Sequence, residues 1–286
     1  NFNMNILVTG ANGQLGQQFK NNTTKSDFEF YFADENELDI TKKNDILNYT
    51  SHYKIKYILN CAAYTDVNGS ESNKELAIKI NSEAIKNLVE ICEEKKIKMI
   101  HFSTDYVYNS ESLDPIKEYK NIDPINYYGY SKREGEKFIE DSSSESIIIR
   151  TSWLYSNYKN NFVKTIINKG NNNEKLYVVN DQFGCPTYAK DLVNVILHII
   201  QSEIKPKYKI YNFSNEGFTN WYDFAKKILQ LKKINSLIIP VNSENYRTVA
   251  KRPRYSVTDK SRIKDIFNVN IRNWEEALEE FVINYK

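Results

Sequence analysis

A chain of 286 residues with 41% hydrophobic and 27% charged side chains has the balance of a water-soluble globular protein and can bury a large core, as one big domain or two modest ones. Lys+Arg 39 against Asp+Glu 37 leaves a net charge of +2 with no concentrated basic block, which excludes nucleic-acid binding driven by bulk charge. Cys61, Cys92 and Cys185 lack CxxC spacing and His52, His101 and His198 are scattered, so the composition excludes a disulfide framework, a zinc site and a histidine-based triad.

In chain order, Met4 reads as the native start after Asn1-Phe2-Asn3. The only early apolar run, Ile6-Leu7-Val8, is too short for a signal peptide, and the stretch near Val193–Ile200 is too short to span a membrane. Asn5–Thr9 reads as a strand and Gln14–Lys20 as a helix. Between them lies Thr9-Gly10-Ala11-Asn12-Gly13-Gln14-Leu15-Gly16, with glycines spaced GxxGxxG. That arrangement holds a dinucleotide. The first glycine permits the tight turn, the second lets backbone N–H groups approach a pyrophosphate, and the third lets helix and strand pack closely. The helix N-terminus faces the phosphate charge.

Further strands are expected at Phe28–Asp34, Ile55–Asn60, Lys98–Ser103 and Ser146–Arg150, with helices at Lys42–Ser51, Asn73–Glu94 and Lys132–Glu140. This alternation predicts an α/β fold, a Rossmann-type doubly wound parallel sheet. Asp34 ends the second strand 24 positions beyond Gly10, where an acidic side chain meets the adenosine ribose. After Arg150 the rhythm loosens. Asn157–Asn173 reads as polar chain around a short helix, Lys175–Val179 and Lys209–Phe213 as strands, and Ala189–Gln201 as an apolar helix. From Asn215 on, two helices are expected, Trp221–Leu231 and Trp274–Asn284. The expected division is a dinucleotide-binding domain over 1–150 and about 180–214, with a smaller, discontinuous substrate lobe over about 151–179 and 215–286.

A tyrosine four residues before a lysine on a helix puts both side chains on one face. The lysine cation lets a phenol, with a pKa near ~10, exchange protons near neutrality. Three such pairs occur among 21 tyrosines. Tyr222/Lys226 is expected on a solvated helix face and Tyr155/Lys159 in a polar loop. Tyr128/Lys132 opens a helix and follows Ser103-Thr104-Asp105-Tyr106 at a strand's carboxyl end, where hydroxyls point into a ligand crevice. This is the pair with the geometry for proton exchange.

The glycine turn, Asn60-Cys61-Ala62-Ala63-Tyr64-Thr65, Ser103-Thr104-Asp105-Tyr106-Val107-Tyr108 and Tyr128-xxx-Lys132 resemble the extended short-chain dehydrogenase/reductases that act on nucleotide sugars. Arg150-Thr151-Ser152-Trp153-Leu154-Tyr155, Asn161-Phe162-Val163-Lys164-Thr165 and Asp181-Gln182-Phe183-Gly184-Cys185-Pro186-Thr187 narrow the resemblance to the dTDP-4-dehydrorhamnose reductase family, which makes dTDP-L-rhamnose. Asn215-Glu216-Gly217, Trp221-Tyr222-Asp223-Phe224-Ala225 and Arg252-Pro253-Arg254-Tyr255-Ser256 extend it over nearly the whole chain.

The resemblance implies reduction of a C4 keto group by NADH or NADPH, in the cytoplasm, for surface polysaccharide. It implies Tyr128 as general acid, Lys132 as the cation that lowers the Tyr128 pKa and meets the nicotinamide ribose, and Thr104 as the residue that orients the carbonyl. Asp105, Trp153, Gln182 and Arg252 would meet the substrate. Gly10, Ala11, Asn12, Gly13, Gln14, Leu15 and Gly16 would lie along the pyrophosphate, Asp39 and Ile40 at the adenine, and Ala62, Ala63, Tyr64, Thr65 and Phe102 near the rest of the cofactor. Two positions depart from the family pattern: Val67-Asn68-Gly69-Ser70-Glu71 lacks the usual aspartate, and Thr258 replaces an apolar residue.

Other readings stay open at this level. They are a nucleotide-sugar 4-epimerase or 4,6-dehydratase, and a catalytically idle nucleotide-binding regulatory subunit. A dehydratase would want Glu where Tyr106 stands. The sequence leaves open a homodimer, a metal such as Mg2+, the sugar itself and the receiving polysaccharide.

Overall fold

Burial alternates between two partners along strand β1 (Asn5–Thr9). Ile6 and Val8 face one core and Leu7 faces another, as expected of a strand covered on both sides. The structure, a computed structural model, describes residues 4–24 and 27–285. Asn1, Phe2 and Asn3, before the expected start at Met4, lie outside the described residues.

The main sheet also contains β2 (Glu29–Ala33), β3 (Tyr57–Asn60), β4 (Lys98–Thr104) and β5 (Ser146–Thr151). The short strands β6 (Leu154–Tyr155), β7 (Leu176–Val179), β8 (Phe183–Gly184) and β9 (Thr187–Tyr188) follow. Then come β10 (Ile210–Asn212), β11 (Thr219–Asn220) and β12 (Ile238–Val241). Six strands pair in the order β10-β5-β4-β3-β1-β2, all parallel. The chain runs one way from β1 to β2, then crosses back to β3. The order therefore reverses between β1 and β3, and the crevice outside their carboxyl ends is where such sheets bind ligands.

Helix α1 (Gln14–Asn22) covers the Ile6/Val8 face through Leu15 and Phe19. Helix α2 (Lys43–His52) covers the Leu7 face through Ile46. The single helix expected over Asn73–Glu94 is instead four pieces: α3 (Gly69–Ser72), α4 (Lys74–Ile78), a π turn at Lys79–Glu83, and α5 (Ala84–Lys95). The widened turn carries Asn81, whose buried amide accepts from Tyr64 N at 2.9 Å and donates to Tyr64 O at 3.0 Å. Helical periodicity gives no sign of this break, because its cause lies 17 residues upstream.

Helix α6 (Tyr127–Glu140) lies beside α5. Helix α8 (Ala189–Ser202) packs on α1 through Leu192, Val193 and Ile196. A separate apolar cluster joins α7 (Phe162–Asn171), α9 (Trp221–Lys232) and α11 (Trp274–Asn284) through Val163, Phe224, Ile228, Leu278 and Phe281. Two helices were expected after Asn215, but α10 (Ser261–Phe267) adds a third. Its Ile263 and Phe267 join the main-sheet core rather than the lobe. Tyr155 is not in a polar loop. It is 1% exposed in β6, stacked on Tyr188 at 5.4 Å, with Phe281 edge-on. Among the described residues no helix is long and apolar enough to cross a membrane, and no group of three or more His, Cys, Asp or Glu could hold a metal.

Candidate active site

The turn after β1 is shaped by glycine. Gly10 has φ +61°, and a Cβ there would stand 2.7 Å from both N and Cα of Ala62. Only a hydrogen permits this approach between the turn and the segment after β3. No side chain caps α1 at Gly13, which leaves its first-turn N–H groups to an anion. This bare cradle at the switch point fits a dinucleotide pyrophosphate.

The side chains of the turn reach elsewhere. Asn12 donates to Asp34, whose other oxygen accepts from Asn36 N at 2.9 Å. Gln14 bridges to the second lobe. It donates to Leu154 O at 3.2 Å and accepts from Asn161 Nδ2 at 2.9 Å and Ser156 Oγ at 3.1 Å. Asp39 is bound by Thr41 through its N–H at 3.0 Å and its hydroxyl at 2.7 Å, and these bonds hold its carboxyl below the ordinary range. Ile40 is buried in the core on the α2 face.

On the other side of the crevice, α6 begins at Asn126, which caps it by accepting from Gly129 N at 2.8 Å. Glu71 adds a second cap, accepting from Tyr127 N at 2.8 Å. Spacing along α6 puts Tyr128, Lys132 and Glu136 on one face. Lys132 is 1% exposed and donates to Phe102 O at 2.7 Å, which ties the helix to the end of β4. The next residues of β4 deliver Thr104, whose hydroxyl accepts from Tyr106 N at 3.1 Å and donates to Asp105 Oδ1 at 3.3 Å. Tyr106 lies edge-on to Tyr128, with ring centroids 6.0 Å apart.

Electrostatics follow burial. Burial pushes the Tyr128 phenol up to about 12, against the Thr104 hydroxyl, rather than down as expected of a lysine neighbour, so the tyrosine holds its proton near neutrality. Burial pulls Lys132 down to about 8, against the Glu136 charge. The Asp105 carboxyl is pushed by burial up to about 7, against hydrogen bonds from Ser256 and Thr104.

The remaining sequence-predicted residues are less uniform. Trp153 stacks on Trp221 at 3.5 Å and 11°, with Gly184 so close that a Cβ would stand 2.6 Å from the indole. Gln182 donates to Ser243 Oγ at 2.9 Å. Arg252 donates to Asn68 Oδ1 at 3.4 Å and to Ala250 O at 3.1 Å, so the residue in place of the family's aspartate anchors a strap from the far lobe. Asn126 holds the same strap by donating to Lys251 O at 2.8 Å. In the other two tyrosine–lysine pairs, Lys226 lies over the Tyr222 ring at 5.4 Å, and Tyr155 is core. Sequence reasoning missed Asn60, Asn81, His101 and Glu136, all buried polar residues lining the back of the site.

A parallel sheet with a glycine turn at its switch point, and a Thr/Tyr/Lys set at the carboxyl end of β4, defines the short-chain dehydrogenase/reductase class of Rossmann-type proteins. Residues 4–286 match the family model described as RmlD substrate binding domain, and the chain belongs to that family. It is 36% identical to the dTDP-4-dehydrorhamnose reductase of Aggregatibacter actinomycetemcomitans, over 96% of each chain. It is 34% identical to the spore coat polysaccharide biosynthesis protein SpsK of Bacillus subtilis, over 97% of this chain and 96% of that one. The crystal structure of the Bacillus anthracis dTDP-4-dehydrorhamnose reductase in complex with NADP superimposes with a TM-score of 0.94 at 36% identity, over 99% of both chains.

Proposed function

We propose that the chain reduces the C4 keto group of dTDP-4-dehydro-6-deoxy-L-mannose (dTDP-4-dehydro-β-L-rhamnose), giving dTDP-L-rhamnose for surface polysaccharide. The observation that carries this is the Thr104 hydroxyl against Tyr128, with Lys132 one turn on and tied to the end of β4, on a chain 36% identical to a reductase of that name. A reduced nicotinamide dinucleotide, NADH or NADPH, supplies the hydride when bound.

The chain's own residues do the rest. The Thr104 hydroxyl orients the C4 carbonyl. Tyr128, protonated at neutral pH, gives its phenolic proton to the C4 oxygen as negative charge develops there. Lys132, fixed at 2.7 Å on Phe102 O, stabilises the tyrosinate left behind and presents an N–H donor to the crevice. Asp105, Trp153 and Arg252 hold the nucleotide sugar, the last with a guanidinium fork suited to diphosphate. Gln182 acts from the segment after β7. The turn Gly10–Gly16 and residues 62–65, with Phe102, line the cofactor cleft, and Asp34, Asp39 and Ile40 flank its adenosine end.

The domain division over 1–150 plus about 180–214, and about 151–179 plus 215–286, belongs to the same reading, as do a cytoplasmic location and a homodimer. Tyr106, edge-on to Tyr128 where a dehydratase would carry glutamate, weighs against dehydration. The test is NADH or NADPH oxidation with dTDP-6-deoxy-L-lyxo-4-hexulose, scored against other keto sugars. Stoichiometric oxidation is the expected result. An epimerase or dehydratase would recycle the cofactor, and an idle subunit would not use it.

A further inference from the structure

Behind Lys132 a chain of buried polar side chains crosses the sheet through three adjacent strands. Thr9 at the end of β1, Asn60 at the end of β3 and His101 in β4 are each no more than 1% exposed. Thr9 Oγ1 lies 2.6 Å from Asn60 Oδ1, Asn60 Nδ2 lies 2.9 Å from His101 Nδ1, and His101 Nε2 lies 3.3 Å from Lys132 Nζ. Polar groups in a sheet interior cost free energy unless they are paired, and this set is paired end to end. Its outer end stops on the lysine of the site.

We infer that His101 is a positioning residue for Lys132: a neutral imidazole, held edge-on by Asn60, that fixes the ammonium in its rotamer and supports its charge. This rests on the role given to Lys132 above. Lys132 has three N–H donors when charged. Phe102 O takes one and His101 Nε2 takes a second, which leaves the third for the crevice. A lone pair at Nε2 puts the ring proton on Nδ1, and Asn60 meets it by turning its amide through a half rotation. That rotation swaps oxygen for nitrogen at the same place and leaves an N–H toward Thr9 Oγ1. Thr9 serves either orientation, because a hydroxyl both donates and accepts.

The ring stays neutral for two reasons. Burial and the adjacent Lys132 charge pull the His101 pKa well below the ordinary range. The ionisable groups that face Lys132 are His101 from β4, Glu136 from α6 and Cys61 from the segment after β3, with Tyr128 one turn before it on α6. Of these, Glu136 is already claimed by Arg150, and burial keeps the Cys61 thiol protonated, so neither holds the ammonium in place by direct hydrogen bonding.

Two experiments test this. His101→Leu removes the acceptor at similar size. It should lower kcat about tenfold or more with KM for the nucleotide sugar little changed, and move the alkaline limb of kcat/KM acidward by about half a unit or more. His101→Gln, which keeps a hydrogen-bonding group, should restore part of both. A pH profile that superimposes on the wild type, or a limb that moves to higher pH, overturns the inference.

The second readout needs no turnover. In the cofactor-free protein, the ring 15N shifts of His101 should stay those of a neutral imidazole from about pH 5.5 to 9, and Lys132→Met should change them. A ring that titrates in that range, or shifts indifferent to Lys132→Met, overturns it. Lys132→Met also separates the two readings. It should abolish turnover, and an active Lys132→Met would sink the role of Lys132 itself rather than the contact with His101.

Discussion

Arg150 grips Glu136 with two hydrogen bonds, Nε to Oε1 at 2.8 Å and Nη2 to Oε2 at 2.6 Å, and neither side chain has any exposure. The pair joins β5 to α6 one helical turn beyond Lys132. Burial alone would raise the Glu136 carboxyl, but Arg150 overcomes it and holds the group below its ordinary range. Nη1 gives its two donors to Tyr108 Oη at 2.8 Å and Glu118 O at 2.7 Å. Four of the five guanidinium N–H groups therefore have partners, which lets a buried ion pair be tolerated.

Breaking that pair from one side should be costly. Glu136→Leu leaves an uncompensated buried guanidinium and should lose about 3–5 kcal/mol in denaturant unfolding. Glu136→Leu with Arg150→Met should recover much of that loss, since the fully buried guanidinium goes with its partner, while Arg133, which also bonds Glu136 at 3.1 Å, keeps Glu140. A double variant no more stable than Glu136→Leu would show that packing, not charge, dominates there.

Tyr128→Phe deletes one hydroxyl and should leave folding and cofactor binding intact while turnover falls by about two to four orders of magnitude. Tyr222→Phe should be indistinguishable from wild type. Tyr155→Phe should be neutral or stabilising by about 1 kcal/mol, because the Tyr155 hydroxyl is buried without a hydrogen-bond partner among the described residues. Near-normal turnover in Tyr128→Phe would remove it from the chemistry.

Those three tyrosines mark what is legible in the sequence. The glycine turn, the strand before it and the Tyr128/Lys132 spacing are local patterns, and local periodicity reports which face a residue takes. Tyr155 looked solvated because its neighbours Asn157, Lys159, Asn160 and Asn161 are polar, yet Tyr188 and Phe281, far along the chain, enclose it. Asn60, His101 and Glu136 were invisible for the same reason. A polar residue is buried only where a partner waits, and their partners stand 41, 31 and 14 residues away. The π turn at Asn81 is a further case, since its cause is a loop on another element.

The alkaline behaviour follows from Lys132. Burial lowers its pKa from the ordinary lysine value to about 8, so the ammonium is present below that pH and lost above it. If the charge on Lys132 is what activity needs, kcat/KM should hold up to about pH 8 and then fall with a slope near one decade per unit. Lys132→Arg, charged at every accessible pH, should lose that limb even if its overall rate is lower. A wild-type profile flat to pH about 10 would show that the lysine keeps its proton by other means.

Cofactor choice turns on the end of β2. Asp34 accepts from the Asn12 side chain and from Asn36 N, so its carboxylate is fixed beside the glycine turn rather than free to swing away. Glu35, Asn36 and Glu37 follow it with no arginine or lysine among them, and Glu37 accepts from Asp34 N at 3.1 Å. A 2′-phosphate placed here would meet negative charge, whereas a ribose hydroxyl would find an acceptor. The family includes a reductase crystallised with NADP, so the acidic cluster biases the choice rather than forbidding one cofactor. NADH should therefore be used at least as well as NADPH in kcat/KM, and Asp34→Ala should move the ratio toward NADPH. Steady-state assays with both cofactors decide it. A wild-type preference of about tenfold or more for NADPH, roughly 1.4 kcal/mol, would mean that Asp34 does not meet the ribose.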